Sequence, residues 1–230
     1  GTLTALTVNG NVSVDGGTVK LDGNYPTGDN NVALGDSALD SGSLSGANNV
    51  AIGFSALTSN TSGASNTVVG RSAMSTNTTG ACNVAIGQNA LLQNTEGNTN
   101  VAVGRFALDN NTTADSNTAV GYESLGANTT GANNTAVGFD SLKANTTGCL
   151  NVAVGKSALC TNTTGCTNTA IGRDAMLANT TGDFNVAVGH EALDSNTTAN
   201  ENTAIGAASL AANTTGSQLT AIGKDSLKDN

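Results

Sequence analysis

Asn134-Thr-Ala-Val-Gly-Phe-Asp-Ser-Leu-Lys-Ala-Asn-Thr-Thr-Gly-Cys-Leu150 is the stretch that decides the fold, because with small substitutions it makes up most of the chain. Its first Gly recurs in twelve copies, spaced 17 residues apart after one first step of 18. A fixed period of this length is typical of solenoids and fibres, in which each repeat buries its apolar side chains only by stacking on its neighbours. The repeated glycines, which we predict to form turns, are Gly35, Gly53, Gly70, Gly87, Gly104, Gly121, Gly138, Gly155, Gly172, Gly189, Gly206 and Gly223.

The composition of the 230-residue chain also favours a thin, stacked structure. The chain has 29 Gly, 3% aromatic residues and no Trp, so an ordinary globular core is not expected. Its net charge of -9 disfavours nucleic acid and anionic membranes as partners, since both attract Lys and Arg. No apolar run approaches the roughly 18 residues of a membrane span, and no signal peptide opens the chain. We therefore predict neither nucleic-acid binding nor membrane insertion.

The sequence divides into two parts. Residues 31–230 form the repeat array, and residues 1–30 alternate Val and Leu with polar residues between Gly-containing turns, which predicts a short β segment or cap. Each repeat is expected to contain two short strands: a triplet such as Val50-Ala-Ile52, and the Ala-Leu pair beyond the Gly. Asn-Thr-Thr-Gly then forms the corner, with Gly accepting unusual φ values at both corners. Because Asn230 falls at the eighth residue of a repeat counted from its Gly, we expect the chain to be a fragment of a longer one.

Alternation places the central Ala of the triplet on one face and its two neighbours, Val or Thr and Val or Ile, on the other. Both faces are apolar or small. We expect one face to fill the coil and the other to meet a neighbouring chain, and either assignment predicts an oligomer. A helical turn at Gly-x-x-Ala-Leu is the alternative for the second segment, although about seven residues are too few for a stable helix.

Stacked rungs bring equivalent residues into ladders. Rungs about 4.8 Å apart give a rod of roughly 55 to 60 Å. We expect the Asn side chains of the corner, and the Thr beside them, to hydrogen-bond to the copies above and below. An alternative fold is a triple β-spiral, in which neighbouring rungs come from different chains; hydrogen bonds between equivalent residues of successive repeats in one chain would exclude it. The predicted Asn ladder comprises Asn60, Asn77, Asn94, Asn111, Asn128, Asn145, Asn162, Asn179, Asn196 and Asn213.

Three runs carry a resemblance to a known family: Val50-Ala-Ile-Gly53, Val84-Ala-Ile-Gly87 and Val186-Ala-Val-Gly189, each followed after two residues by Ala. They resemble the head repeats of trimeric autotransporter adhesins, which are left-handed parallel β-rolls assembled as homotrimers. The longer unit, with Leu after Ala and the added Asn-Thr-Thr-Gly corner, is more similar to repeat segments of bacteriophage tail fibres, especially marine ones. The resemblance covers nearly the whole chain and implies an all-β, left-handed parallel β-solenoid of about twelve rungs in a homotrimeric fibre.

The function that this resemblance implies is structural. We expect a shaft or adhesin segment of a viral tail fibre, located in the virion, with itself as partner and a host surface glycan or protein as a further one. The alternative is a bacterial cell-surface adhesin or extracellular filament. A third hypothesis is an ice-binding solenoid, because regular Thr ladders can match a lattice. No nucleophile-base constellation, metal-ligand spacing or cofactor motif is present, so we predict no enzyme, metal or cofactor.

Two small groups of residues are candidates for sites. Phe106, Tyr122 and Phe139 lie close to the Gly on three consecutive repeats, so they should cluster and could bind a sugar ring; burial between chains is the alternative interpretation. Loss of sugar binding in a Tyr122→Ala, Phe139→Ala variant that still assembles would support this patch. Cys149 and Cys166 occupy one repeat position, within disulfide range on adjacent rungs, with free thiols as the alternative. His190, the single histidine, is expected at the surface.

Overall fold

A single parallel β-sheet of twelve short strands organises residues 30–229, the part of the chain that the computed structural model describes. The strands follow one another in the sheet in chain order, and each pairs with the strand of the next repeat. The predicted N-terminal β segment at 1–30 lies almost wholly outside the described residues. The strands are β1 Val32–Leu34, β2 Val50–Ile52, β3 Thr67–Val69, β4 Val84–Ile86, β5 Val101–Val103, β6 Thr118–Val120, β7 Thr135–Val137, β8 Val152–Val154, β9 Thr169–Ile171, β10 Val186–Val188, β11 Thr203–Ile205 and β12 Thr220–Ile222.

The strand register confirms the parallel β-solenoid. Ala119 lies opposite Ala136, and Ala136 opposite Ala153, so each residue pairs with its equivalent one repeat further along the same chain. The first step, from Ala33 to Ala51, is one residue longer, as the sequence spacing requires. Neighbouring rungs therefore come from one chain, which excludes the triple β-spiral for the described residues. Left-handedness and trimeric assembly stay predictions.

The central Ala of each strand points into the coil. In β7, Ala136 is fully buried, whereas Val137 on the opposite face is 36% exposed. Of the two assignments that the sequence left open, the structure therefore has the small face inside and the larger aliphatic face outside. The physical reason is space, because the buried Leu of the next segment shares the same thin core. Val68, the exception to Ala at this position, is also fully buried.

The segment after the strand Gly is a turn, so the predicted second strand is wrong. Asp140 and Leu142 have φ of 55° and 50°, which an extended strand does not accommodate. The helical alternative is wrong as well, since no helix occurs between residues 30 and 229. Hydrogen bonding between rungs nevertheless continues: Asp140 N donates to Tyr122 O and Leu142 N to Ala158 O, both at 3.0 Å. The turn thus places Leu142 in the core without breaking the stack.

The two repeated glycines are needed for different reasons. Gly138 has φ of +143°, and a Cβ there would lie 2.7 Å from the carbonyl carbon of Gly155. Both backbone conformation and close approach therefore require Gly at this corner. At the Asn-Thr-Thr-Gly corner, φ of Gly131 is not in the left-handed region, so the predicted reason is wrong there. A Cβ on Gly131 would instead lie 2.7 Å from Asn128 Oδ1. Close packing selects small residues here, and Ala114 fills the same place on another rung.

The predicted Asn side chains form a continuous buried ladder. Asn77 Nδ2 donates to Asn60 Oδ1 at 2.8 Å, and the same bond joins each successive pair up to Asn213. The Thr beside each Asn behaves differently from the prediction. Thr61 Oγ1 donates to the main-chain oxygen of Thr78 at 2.9 Å rather than to its side chain. The corner Thr therefore closes the backbone of the next rung, and its hydroxyl hydrogen is not free for a ligand.

A second buried Asn ladder precedes the strands, and the sequence reasoning missed it as a ladder. Asn134 is representative: its Oδ1 accepts from Asn151 N at 3.0 Å, and its Nδ2 donates to Gly148 O at 2.9 Å. The first bond joins successive rungs, and the second ties the start of the strand to the corner at the end of the same repeat. The signal was present, since Asn opens almost every repeat. The members are Asn31, Asn49, Asn66, Asn83, Asn100, Asn117, Asn134, Asn151, Asn168, Asn185 and Asn202.

Candidate ligand-binding surface

The three aromatic residues singled out from the sequence lie together on the surface. The rings of Tyr122 and Phe139 are stacked, with centroids 5.3 Å apart and planes inclined by 13°. Phe106 meets Tyr122 edge-on at 6.2 Å. Phe139 is 49% exposed, so part of the cluster faces solvent within this single chain. Arg105 adds a cation, its guanidinium carbon 4.4 Å from the Phe106 ring centroid.

Charged groups surround the aromatic cluster. Lys143 Nζ lies 2.5 Å from a carboxylate oxygen of Glu123 and 3.4 Å from one of Asp140. Hydrogen bonds from Lys143 and then from Tyr122 lower the pKa of Glu123. The same hydrogen bond with Glu123 raises the pKa of Lys143. Glu123 is therefore held as a carboxylate, ready to accept hydrogen bonds from ligand hydroxyl groups.

A cavity of about 290 Å³ opens beside the cluster. Its wall combines one aromatic ring with several polar groups, and includes Phe106, Asp109, Asn110, Glu123 and Lys143. One carboxylate oxygen of Asp109 is buried without a hydrogen-bond partner among the described residues, and burial raises the pKa of this carboxyl. An aromatic surface beside a few polar groups, one with an unsatisfied oxygen, is a typical setting for binding a small polar ligand.

The two carboxyl groups in this cavity have opposite pKa shifts, a feature that also accompanies catalytic pairs. Here each shift has a structural cause: the ion pair with Lys143 lowers the pKa of Glu123, and partial burial raises that of Asp109. A structural ion pair produces such shifts without catalysis. We therefore interpret the cavity as a binding surface, and the absence of enzyme activity stays a prediction.

Cys149 and Cys166 lie side by side on adjacent rungs as thiols. Their sulfur atoms are 2.8 Å apart, and Cys149 N donates to Cys166 Sγ at 3.0 Å. The hydrogen bond to Cys166 is the main cause that raises the pKa of Cys149 to about 11. The predicted proximity is therefore present, and the disulfide itself stays a prediction.

A charged cluster that the sequence reasoning did not find surrounds His190. One ligand atom from each of Asp174, His190 and Glu191 lies within 4.8 Å of the others. Arg173 occupies the same place: it contacts His190 and lies 3.1 Å from Asp174 and 3.5 Å from Glu191. The guanidinium group already neutralises both carboxylates, so the cluster is explained as an exposed ion-pair network. The side chain of His190 is 43% exposed.

The outer face of the sheet is the largest uniform surface of the chain. Every strand presents Val or Thr at its first position and Val, Ile or Leu at its third, and none of these positions is charged. Ile86, Ile171 and Ile205 are each 39% to 40% exposed. The face is therefore an uncharged strip two side chains wide, with one aliphatic column and one column of Val and Thr, which we call the outer strip. The sequence shows which residues share this face, but not that the face points away from the core.

Comparison of the chain with family models, with curated proteins and with solved structures found no match in any of the three. Within residues 30–229 no helix has the length and apolar character needed to cross a membrane.

Proposed function

We propose that the chain is a structural shaft segment of a homotrimeric viral tail fibre used for host attachment. The observation that carries this proposal is the outer strip. Because the chain carries 25 charged residues, 8 basic and 17 acidic, a solvated face of twelve strands would be expected to include some of them. It includes none, which favours a face that is covered by protein.

The dimensions of the outer strip support the same proposal. Twelve rungs extend over about 53 Å, and two columns of side chains make the strip roughly 10 Å wide, giving about 500 Å² per copy. A strip of this size matches the largest apolar patch on a typical monomeric protein, and such patches often mark a contact with another protein. A closed three-fold arrangement of the chain would turn all three strips toward one axis and cover them.

The mechanism would be mechanical. Parallel rungs joined by two buried Asn ladders give a stiff segment, and trimer formation would cover the outer strip. Such a segment can hold a receptor-binding tip away from the particle, and its surface can add contacts along the shaft. The bacterial surface adhesin remains the second candidate, because the same covered face suits a trimeric adhesin head.

The mass of the protein in solution tests the proposal. Sedimentation equilibrium should give three times the chain mass of 22.5 kDa. In a double variant, Val120→Lys and Val137→Lys, two charges enter the outer strip, so the mass should fall to that of one chain. A matched control, Thr130→Lys and Thr147→Lys, adds the same charge at exposed corners and should remain trimeric.

Three results would redirect the proposal. A wild-type monomer would contradict it, and thermal hysteresis by that monomer would instead support the ice-binding hypothesis. Equal loss of mass in both double variants would show that added charge, rather than its position, causes dissociation. Antibodies against the repeat array should label the fibres of virus particles; labelling of a bacterial envelope would favour the surface adhesin.

A further inference from the structure

One column of side chains on the solenoid differs in charge from the rest of the molecule. It consists of the residues that directly follow the strand Gly. From β2 to β10 nine consecutive rungs place a basic, aromatic or amide side chain in this column, and no acidic one. Acidic residues outnumber basic ones by 17 to 8 in the whole chain, so this distribution is unusual. We call it the basic-aromatic column: Phe54, Arg71, Gln88, Arg105, Tyr122, Phe139, Lys156, Arg173 and His190.

The column is accessible in the single chain. Phe54 is 51% exposed and Phe139 49% exposed. Arg71, Arg105 and Lys156 also lie at the surface. Because the strands are parallel and in register, successive members are separated by about 4.8 Å. The column is therefore a straight row of side chains that are exposed or, at Gln88 and Tyr122, half-buried. It includes Tyr122 and Phe139 of the aromatic cluster described above.

Three cations of the column are available to a ligand. Within residues 30–229, no carboxylate lies within ion-pair distance of Arg71, Arg105 or Lys156. Arg71 and Lys156 are followed in the chain by serines, not by acids. Arg105 lies over the rings of Phe106 and Tyr122. These three side chains can therefore offer hydrogen-bond donors and positive charge to an anion.

The cations nearer the C-terminal end are already paired. Arg173 lies 3.1 Å from Asp174 and 3.5 Å from Glu191. Lys224, which follows the strand Gly of β12, lies 3.4 Å from Asp225. Their charge is compensated within the protein, so they should contribute little to anion binding. An anionic ligand should therefore bind along the first part of the column, where the cations are free. The paired cations serve as an internal control for the effect of removing positive charge.

The spacing of the free cations fits an extended saccharide chain. Arg71 and Arg105 are two rungs apart, about 10 Å, and Arg105 and Lys156 are three rungs apart, about 14 Å. A sugar ring in an extended polysaccharide advances the chain by a distance similar to one rung. Acidic groups on every second or third ring could therefore meet successive cations. Tyr122 and Phe139, which lie between Arg105 and Lys156, offer apolar surface to the sugar rings.

We propose that the basic-aromatic column binds an extended anionic polysaccharide, bearing carboxylate or sulfate groups, in register with the rungs. The polar wall of the neighbouring cavity, including Glu123 and Asn110, faces the hydroxyl groups of the same ligand. Nucleic acid is disfavoured because its continuous negative charge would meet a protein of net charge -9 with only three uncompensated cations in the row. This inference deepens the proposed role in attachment, although binding itself requires only the column.

The test uses a matched pair of triple variants of the full chain. The first variant lacks the three free cations and carries Arg71→Gln, Arg105→Gln and Lys156→Gln. In the second, Arg173→Gln, Lys224→Gln and Lys228→Gln remove three cations that are paired with carboxylates. Both variants have the same net charge, so a difference in binding reports the position of the cations and not their number. Calorimetry measures binding of oligogalacturonate, a sulfated heparin oligosaccharide, a neutral glucan oligomer and oligo-dT.

We expect the wild-type chain to bind one of the two acidic saccharides, and to bind it less tightly as salt is added. The first triple variant should lose about tenfold in affinity, because exposed ion pairs are individually weak, while the second should stay within about twofold. Which saccharide binds distinguishes carboxylate from sulfate. Four results would each overturn the proposal. The two triple variants could lose affinity equally, or the wild-type chain could bind the neutral glucan as tightly as the acidic saccharides. It could also bind oligo-dT more tightly than the acidic saccharides, or bind no saccharide at all. If these occur while the trimer mass is retained, the shaft function stands.

Discussion

Replacing Asn134 by Ala tests how much the second Asn ladder contributes to stability. Asn134 is fully buried, and its side chain accepts from Asn151 N at 3.0 Å and donates to Gly148 O at 2.9 Å. Gly148 O would keep a partner, because Asn145 Nδ2 also donates to it at 2.9 Å. Asn134 Nδ2 donates to Asn117 Oδ1 as well, at 3.2 Å, and that oxygen would keep Asn134 N as its donor. The Asn151 N–H would be left unpaired in the interior. An unpaired buried donor costs about 1–3 kcal/mol and the lost Nδ2 bonds together about 1 kcal/mol, so we expect a destabilisation of about 2–4 kcal/mol.

Urea unfolding followed by circular dichroism, at one fixed protein concentration, measures this change. Thr130→Ala, at the exposed corner that precedes Asn134 in the chain, is the control and should change the free energy of unfolding by less than about 0.5 kcal/mol. Because each rung contacts only its neighbours, the weakened rung should also reduce cooperativity, which appears as a smaller dependence on urea. An Asn134→Ala variant as stable as Thr130→Ala would refute the reasoning that the ladder holds the rungs together.

Three further predictions follow from particular contacts. Gly138→Ala should destabilise by about 3 kcal/mol or more in the same urea assay, because its φ and the next rung both exclude a Cβ; Gly42→Ala, with open space at its Cβ, should be nearly neutral. Burial raises the pKa of Asp109 in the folded state, so its charge costs stability above the unfolded pKa. Asp109→Asn should therefore increase the free energy of unfolding at pH 7, by less than about 1 kcal/mol, and leave it unchanged at pH 3. Because the pKa of Cys149 is raised to about 11, its rate of reaction with iodoacetamide should increase about tenfold per pH unit from pH 8 to 10, as measured by mass spectrometry. At pH 8, Cys149 should react faster in a Cys166→Ala variant than in the wild-type chain.

Much of the fold could be predicted from the sequence because the repeat fixes the register. One 17-residue period, Gly at the strand end and Asn at the corner are enough to specify parallel in-register rungs and a stacked Asn ladder. The clustering of Phe106, Tyr122 and Phe139 follows from the same period. Which face of the sheet is buried could not be predicted, because alternation shows which residues share a face and not which face points inward.

The turn after the strand could not be read from residue type. Leu142 has φ of 50°, although Leu has no local preference for the left-handed region and pays about 1 kcal/mol to adopt it. The stack overrides that preference, since the turn buries Leu142 completely and lets its N–H donate to Ala158 O. The cavity beside Glu123 escaped prediction for a related reason: its wall joins side chains from three rungs through that turn.

The distance between two labelled corners tests the solenoid itself most directly. Thr79 and Thr164 are exposed, five repeats apart in the sequence, and can be changed to Cys and spin-labelled after the native cysteines are replaced by Ser. Diluting the labelled chain with unlabelled chain confines the signal in pulsed electron resonance to pairs within one chain. Five rungs of one chain predict about 24 Å between the corners. A distance roughly three times as long, as expected if neighbouring rungs came from three different chains, would contradict the account.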